Sequence, residues 1–128
     1  IRYVAEMHCL LQLTIIKAGK DLHMRIRKEP DEMHEEEILL TAKVSDALAH
    51  PARLKIFRFI FLNNRNRTRV CNKDIVAAFD YSQATISQHI KKLAEAELVQ
   101  VQKEDKFSYY YVNLGILGKY IDAVKKFA

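Results

Sequence analysis

Between Tyr81 and Asn113 the hydrophobic pattern changes period once, and that change constrains the fold more than any other feature of the chain. Ile86, Ile90, Leu93 and Ala94 recur at the spacing that lines one face of a helix. At a step of ~100° per residue, Ala84, Thr85, Gln88, Lys91 and Lys92 fall on the opposite face. That face is polar and basic, with no acid before Glu95. Ser82 is placed to cap the helix start with its hydroxyl. After Leu98 the pattern becomes two short strands, LVQVQK and FSYYYVN, linked through Glu104-Asp105. Val99 and Val101 alternate with Gln100 and Gln102, and Val, Tyr and Phe favour strands.

The preceding residues supply the partner helices. A helix is expected from about Asn72 to Phe79 with Ile75, Val76 and Phe79 inward, then a short turn at Asp80-Tyr81. This is helix-turn-helix spacing, though the turn has no glycine. Followed by a hairpin, it reads as a winged helix-turn-helix, mainly α with a small β wing. Before it, a helix from Pro51 or Ala52 to about Leu62 carries Leu54, Ile56, Phe57, Ile60 and Phe61, and Asn63 to Arg67 reads as a polar loop. His50-Pro51 separates it from an earlier helix, because the residue before proline is pushed out of the helical region. That earlier helix is expected to enter at Pro30, with Asp31 and the glutamates favouring an N-terminus. It runs through Ile38, Leu39, Ala42, Leu48 and Ala49 and buries one side. A last helix from about Leu114 to Phe127 shows a stripe of Ile116, Leu117, Tyr120, Ile121 and Val124.

Residues 1–30 read as an extension to a domain spanning residues 31–128. Leu22, Met24 and Ile26 alternate with His23, Arg25 and Arg27, and Gly19 and Asp21 suit a turn, so a β-hairpin is expected. The alternative is an amphipathic helix through Val4, Met7, Leu11 and Ile15.

Charge is unevenly spread. The net charge is +5, but from Pro51 to Lys73 the charged residues are Arg53, Lys55, Arg58, Arg65, Arg67, Arg69 and Lys73, with no acid. Glu29, Asp31, Glu32, Glu35, Glu36 and Glu37 form an acidic run with no base from Glu29 to Glu37. The first region suits a polyanion and the second repels one. The plain alternative for each is a solvated face. The two cysteines, Cys9 and Cys71, form no CxxC pair, so a reducing cytoplasm is the default. No apolar run approaches the ~20 residues of a membrane span. No glycine-rich phosphate loop, nucleophile elbow or HExxH is present, so an enzyme is not expected and no cofactor is called for.

Two stretches carry a family resemblance. SQATISQHIKKLAEAELV, residues 82–99, resembles the recognition-helix signature SQSTVSRHLKVLREAGLV of the ArsR/SmtB repressors. ALAHPARLKIFRFI, residues 47–60, resembles the same family's ALAHPTRLRILRLL. The likeness runs from about Glu32 to Ala128, and family members usually begin near Glu32. It implies a homodimer built through the first and last helices of the domain. It also implies repression by blocking promoter access, with release by a signal the sequence does not name.

Under that reading double-stranded DNA is the partner. Gln83, Ala84, Thr85 and Gln88 are assigned to base edges, since Gln pairs with adenine and Ala or the Thr methyl touches the thymine methyl. Ser82, Ser87, Lys91 and Lys92 suit phosphates, and Lys103 and Lys106 at the wing tip suit the minor groove or backbone. The competing reading is a winged-helix protein-interaction module, in which the basic face is incidental.

The resemblance also invites a sensor. Metal-sensing members carry CVCDL where this chain has Cys71-Asn72-Lys73-Asp74-Ile75, so the second thiolate is Lys73. Zinc-sensing members place Asp and His on the last helix; here Asp122 is present and no histidine follows His89. No metal ligand set is assigned. Cys71 is a candidate redox residue through its neighbours Arg69 and Lys73, alone or paired with Cys9. The plain alternative is two reduced, unpaired thiols. His8, His23 and His34 read as stray surface histidines, His50 as a structural or capping group, and His89 as a structural or phosphate-contacting one.

Overall fold

The computed structural model describes residues 33–127. Pro30, the candidate hairpin, Cys9 and the other features of residues 1–32 lie outside that range. Within it are five helices and three strands: α1 (Glu35–Ala47), α2 (Pro51–Arg65), β1 (Val70–Cys71), α3 (Asn72–Ala78), α4 (Gln83–Glu95), β2 (Val99–Glu104), β3 (Phe107–Val112) and α5 (Leu114–Lys125). This is a winged helix-turn-helix: α3 and α4 are its two helices and β2–β3 its wing.

Local chemistry sets the element ends. Glu35, Glu36 and Glu37 occupy the first turn of α1, where carboxylates meet the positive end of the helix dipole. His50 is extended, as a following proline requires, and Pro51 takes the first position of α2, where no N–H is needed. Ser82 Oγ accepts the Thr85 N–H at 3.2 Å and Asn113 Oδ1 accepts the Ile116 N–H at 3.3 Å, capping α4 and α5.

Helices α2 and α4 end alike. The Thr68 N–H donates to Asn63 O at 2.8 Å and the Arg67 N–H to Asn64 O at 2.9 Å. The Leu98 N–H donates to Leu93 O and the Glu97 N–H to Ala94 O, each at 3.0 Å. These paired bonds place Arg67 (φ 60°) and Glu97 (φ 63°) in the left-handed region, where glycine is the usual occupant. At the tip of the wing Asp105 (φ 56°) makes a third such turn, within the tolerance of a short polar side chain.

The core is a cluster of buried residues from α1 to α4 and the sheet, with Ile116, Leu117 and Tyr120 of α5 packed against it. Val44 from α1, Ile56 and Ile60 from α2, Val70 from β1, Ile75 from α3, Ile86 and Leu93 from α4, and Leu98 are fully buried. Helix α4 packs on α2 and α3, and α5 packs on α1. The aromatic rings of Phe59 and Phe79 meet edge to face at 5.5 Å, and Phe79 stacks on Tyr81 at 5.8 Å. That ladder fixes the turn between α3 and α4 without a glycine.

Several expectations need correction. Helix α2 runs to Arg65, so Asn63 and Asn64 belong to its last turn and the loop is shorter. β1 was not foreseen: two residues complete a sheet of order β1-β3-β2, antiparallel throughout, with Val70 opposite Tyr110. Val76 is exposed, because α3 has only two turns and Ile75 alone of its residues is buried. Val101 is exposed, because the wing leaves the core after Val99. Ile38 and Leu39 of α1 are exposed, and Val44 and Ala47 are the residues it buries.

Asn64 joins α2 to the wing. Its Oδ1 accepts the Val112 N–H at 2.8 Å and its Nδ2 donates to Tyr110 O at 3.4 Å. Replacing it by an apolar residue of similar size leaves both β3 groups unmatched. Asn64→Leu is expected to lower the unfolding free energy by about 1–3 kcal/mol in urea titrations; a change within about 0.5 kcal/mol would show that water replaces the amide there.

Candidate nucleic-acid interface

Burial of Ile86, Ile90 and Leu93 turns the other face of α4 outward. Gln83, Ala84, Ser87, Gln88, Lys91 and Lys92 are exposed on it. Among the described residues, no acid lies on the helix before Glu95, which pairs with Lys92 at 3.8 Å on the exposed surface. The remaining hydroxyls are engaged. Ser82 Oγ donates to Thr85 Oγ1 at 2.9 Å and Thr85 is half-buried, so these two close on each other at the helix start. Ser87 Oγ accepts from Asn72 Nδ2 at 3.2 Å.

The wing carries Lys103 and Lys106, both exposed. Arg69, just before β1, forms an ion pair with Glu104 of β2 and lies 4.1 Å from the centroid of the Tyr109 ring. The Glu104 carboxylate, by accepting its hydrogen bond, holds the Arg69 guanidinium above its ordinary pKa. Lys73 Nζ lies 5.3 Å from the Phe107 ring centroid.

The basic run of the sequence is therefore not all available to a polyanion. Arg53 is buried and donates through Nη1 to Ala47 O at 3.1 Å, closing the last turn of α1. Arg69 is matched by Glu104. Sequence reasoning counted both as free positive charge and assigned no role to Asn72. Only the tertiary arrangement, with β1 beside β3, brings Arg69 to Glu104 and Asn72 to Ser87.

Comparison with known proteins now adds a second line. A helix-turn-helix domain family matches residues 48–102. The arsenical resistance operon repressor of Staphylococcus aureus is 36% identical over 52 residues, 41% of this chain and 50% of that protein. A structure of a possible transcriptional regulator for arsenical resistance is 26% identical, with TM-score 0.55 over 64% of this chain and 80% of the other. An ArsR-like transcriptional regulator from Rhodococcus sp. RHA1, at 19% identity, shares the fold with TM-score 0.60 over 70% of this chain and 80% of its own.

The winged helix-turn-helix of this chain resembles those of ArsR-like regulators. The chain spans about half the length of the curated relative it matches.

Cys71 is a half-buried free thiol at the start of α3, and its backbone N–H donates to Asp74 Oδ2 at 2.8 Å. Its basic sequence neighbours face other groups, Arg69 towards Glu104 and Lys73 towards Phe107. Among the described residues no three His, Cys, Asp or Glu side chains gather as a metal site. No helix among them is long and apolar enough to cross a membrane.

His89 lies between the reading face and the core. Burial first, then the positive Arg53 and then His50, push it below its ordinary value of 6.5. A histidine with a lowered folded pKa is bound by a proton more readily in the unfolded chain, so its contribution to stability is full above 6.5 and is lost as pH falls below it. The denaturation midpoint of the wild type is expected to fall between pH 7.5 and pH 5.5 by more than that of His89→Gln. Equal acid sensitivity in the two would remove His89 as the cause.

Proposed function

We propose that this chain is a homodimeric, DNA-binding transcriptional regulator that acts in the cytoplasm as a repressor. The observation that carries the reading is the outer face of α4, free of acid before Glu95, with Gln83, Ala84 and Gln88 exposed beside Lys91 and Lys92 on a winged helix-turn-helix. Gln88 and Gln83 have the donor–acceptor pair that adenine offers in the major groove, and Ala84 suits a thymine methyl. Lys91, Lys92, Lys103 and Lys106 supply phosphate contacts that set register. Thr85 Oγ1 accepts from Ser82 Oγ and is half-buried, which leaves its methyl as the group best suited to a base edge. The resemblance to the S. aureus arsenical resistance operon repressor supports repression as the direction of control.

Dimerisation is supported by apolar surface on α1 and α5. Leu39 is 62% exposed, Phe127 75% and Val124 40%. A two-fold pair would cover this surface and set two copies of α4 about one turn of DNA, or a multiple, apart. A signal that favours a dimer geometry mismatched to the grooves would release the DNA, in proportion to its differential affinity for the two states.

The test uses a two-half-site duplex selected from a random pool. The wild type is expected to sediment as a dimer and to bind with two chains per duplex. Val124→Asp is expected to sediment as a monomer and to lose roughly 100-fold or more in affinity for that duplex, because the second contact is no longer tethered. A monomeric wild type binding one chain per duplex would contradict the dimeric reading.

A further inference from the structure

The wing and the helix-turn-helix enclose a cleft of about 470 Å³, within the roughly 300–1,000 Å³ of small-ligand sites. Its walls hold Lys73 and Asn72 of α3, Gln83 and Ser87 of α4, and Lys106 and Phe107 of the wing. No acidic residue lines it. The two nearest candidates are engaged elsewhere: Asp74 accepts from the Cys71 backbone, and Glu104 pairs with Arg69.

Three details make this a built site. Lys73 and Lys106 both line it, from different elements. The Phe107 ring, 43% exposed at the wing, lies under the Lys73 ammonium, and such a contact restrains an otherwise mobile cation. The Asn72 amide donates to Ser87 Oγ at 3.2 Å and to the Tyr110 hydroxyl at 3.4 Å, while its Oδ1 is buried without a partner. These bonds tie the α3 wall of the cleft to α4 and to β3.

We propose that this cleft is a seat for a tetrahedral oxyanion, held by Lys73 and Lys106 with Gln83 as a neutral donor. Its occupant is a DNA backbone phosphate in the complex and inorganic phosphate in its absence. The first half rests on the DNA-binding reading above; the second stands without it. A consequence follows for specificity. Gln83, given to base edges in the reading above, is thereby reassigned to the phosphate side of α4, and base reading falls to Ala84 and Gln88.

The test is Lys73→Met, an exposed position where the fold is not at stake, with Phe107→Leu as a second variant. On DNA, Lys73→Met should weaken binding about tenfold near ~0.1 M salt, equally for cognate and scrambled duplexes, and reduce the salt slope by about one. Phe107→Leu should give a smaller loss in the same direction. Separately, sodium phosphate is titrated against sodium chloride at matched ionic strength, reading the thermal midpoint of the free protein and displacement of DNA. A phosphate-specific rise and displacement in the wild type, absent in Lys73→Met, identifies free phosphate as an occupant. A slope change without that rise restricts the occupant to the DNA backbone. Failure of the wild type to bind any duplex removes the DNA reading, and the thermal arm then decides the seat alone. An unchanged salt slope in Lys73→Met beside normal wild-type DNA binding, with no phosphate-specific stabilisation, overturns the proposal. Loss of both arms does the same.

Discussion

Burial of Ile86, Ile90 and Leu93 is the constraint on which everything else depends. Each is an apolar side chain brought to 5% exposure or less, and full burial of such a side chain stabilises by about 1.5–3 kcal/mol. Three together approach the whole stability of a small domain. Rotating α4 by even one residue would move these groups towards water, so the helix has one orientation. The same orientation puts Gln83, Ala84, Gln88, Lys91 and Lys92 outward as a set. The core therefore fixes which face of α4 is exposed, and that face needs no separate support.

The wing depends on a different set of forces. Apart from Val99 and Tyr110 it buries little, so its position relative to α4 rests also on polar ties and ring contacts. Asn64 holds the base of β3 to the end of α2, β1 pairs with β3 from the other side, and Arg69 joins β1 to Glu104 across the sheet. Exposed ion pairs contribute little by themselves. This pair is set among a ladder of backbone bonds and a ring contact, and acts by restricting the wing more than by strengthening the fold. The cleft between wing and helix keeps its shape through these ties.

Much of this was legible in the sequence, for identifiable reasons. The helix at 83–95 announced itself because its apolar period and its cap at Ser82 agree, and the hairpin because strand-forming residues alternate around a polar link. The break at Pro51 is a covalent restriction and needs no tertiary context. The readings that failed share one cause: they needed partners distant in the chain. Val101 obeys the alternation of a half-buried strand, yet nothing lies beneath it. Ile38 and Leu39 have the period of a core face, yet the helix α5 that packs on α1 meets another side. β1 is two residues long and exists only because β3 lies beside it. Arg53 reads as surface charge, while the carbonyl that holds it belongs to the preceding helix. Glu97 and Arg67 concealed two helix ends, because the left-handed turn usually flagged by glycine carries a charged residue in each.

The central claim is that the exposed face of α4 reads duplex DNA. The direct measurement is fluorescence anisotropy of the wild-type chain with its selected duplex and a scrambled duplex, at about 50 and 200 mM salt. The account predicts tighter binding to the selected duplex and an affinity that falls at least ~100-fold across that range, as neutralising about four or more phosphates requires. Absence of binding at low salt, or binding that ignores both sequence and salt, would contradict it and leave the protein-interaction reading in its place.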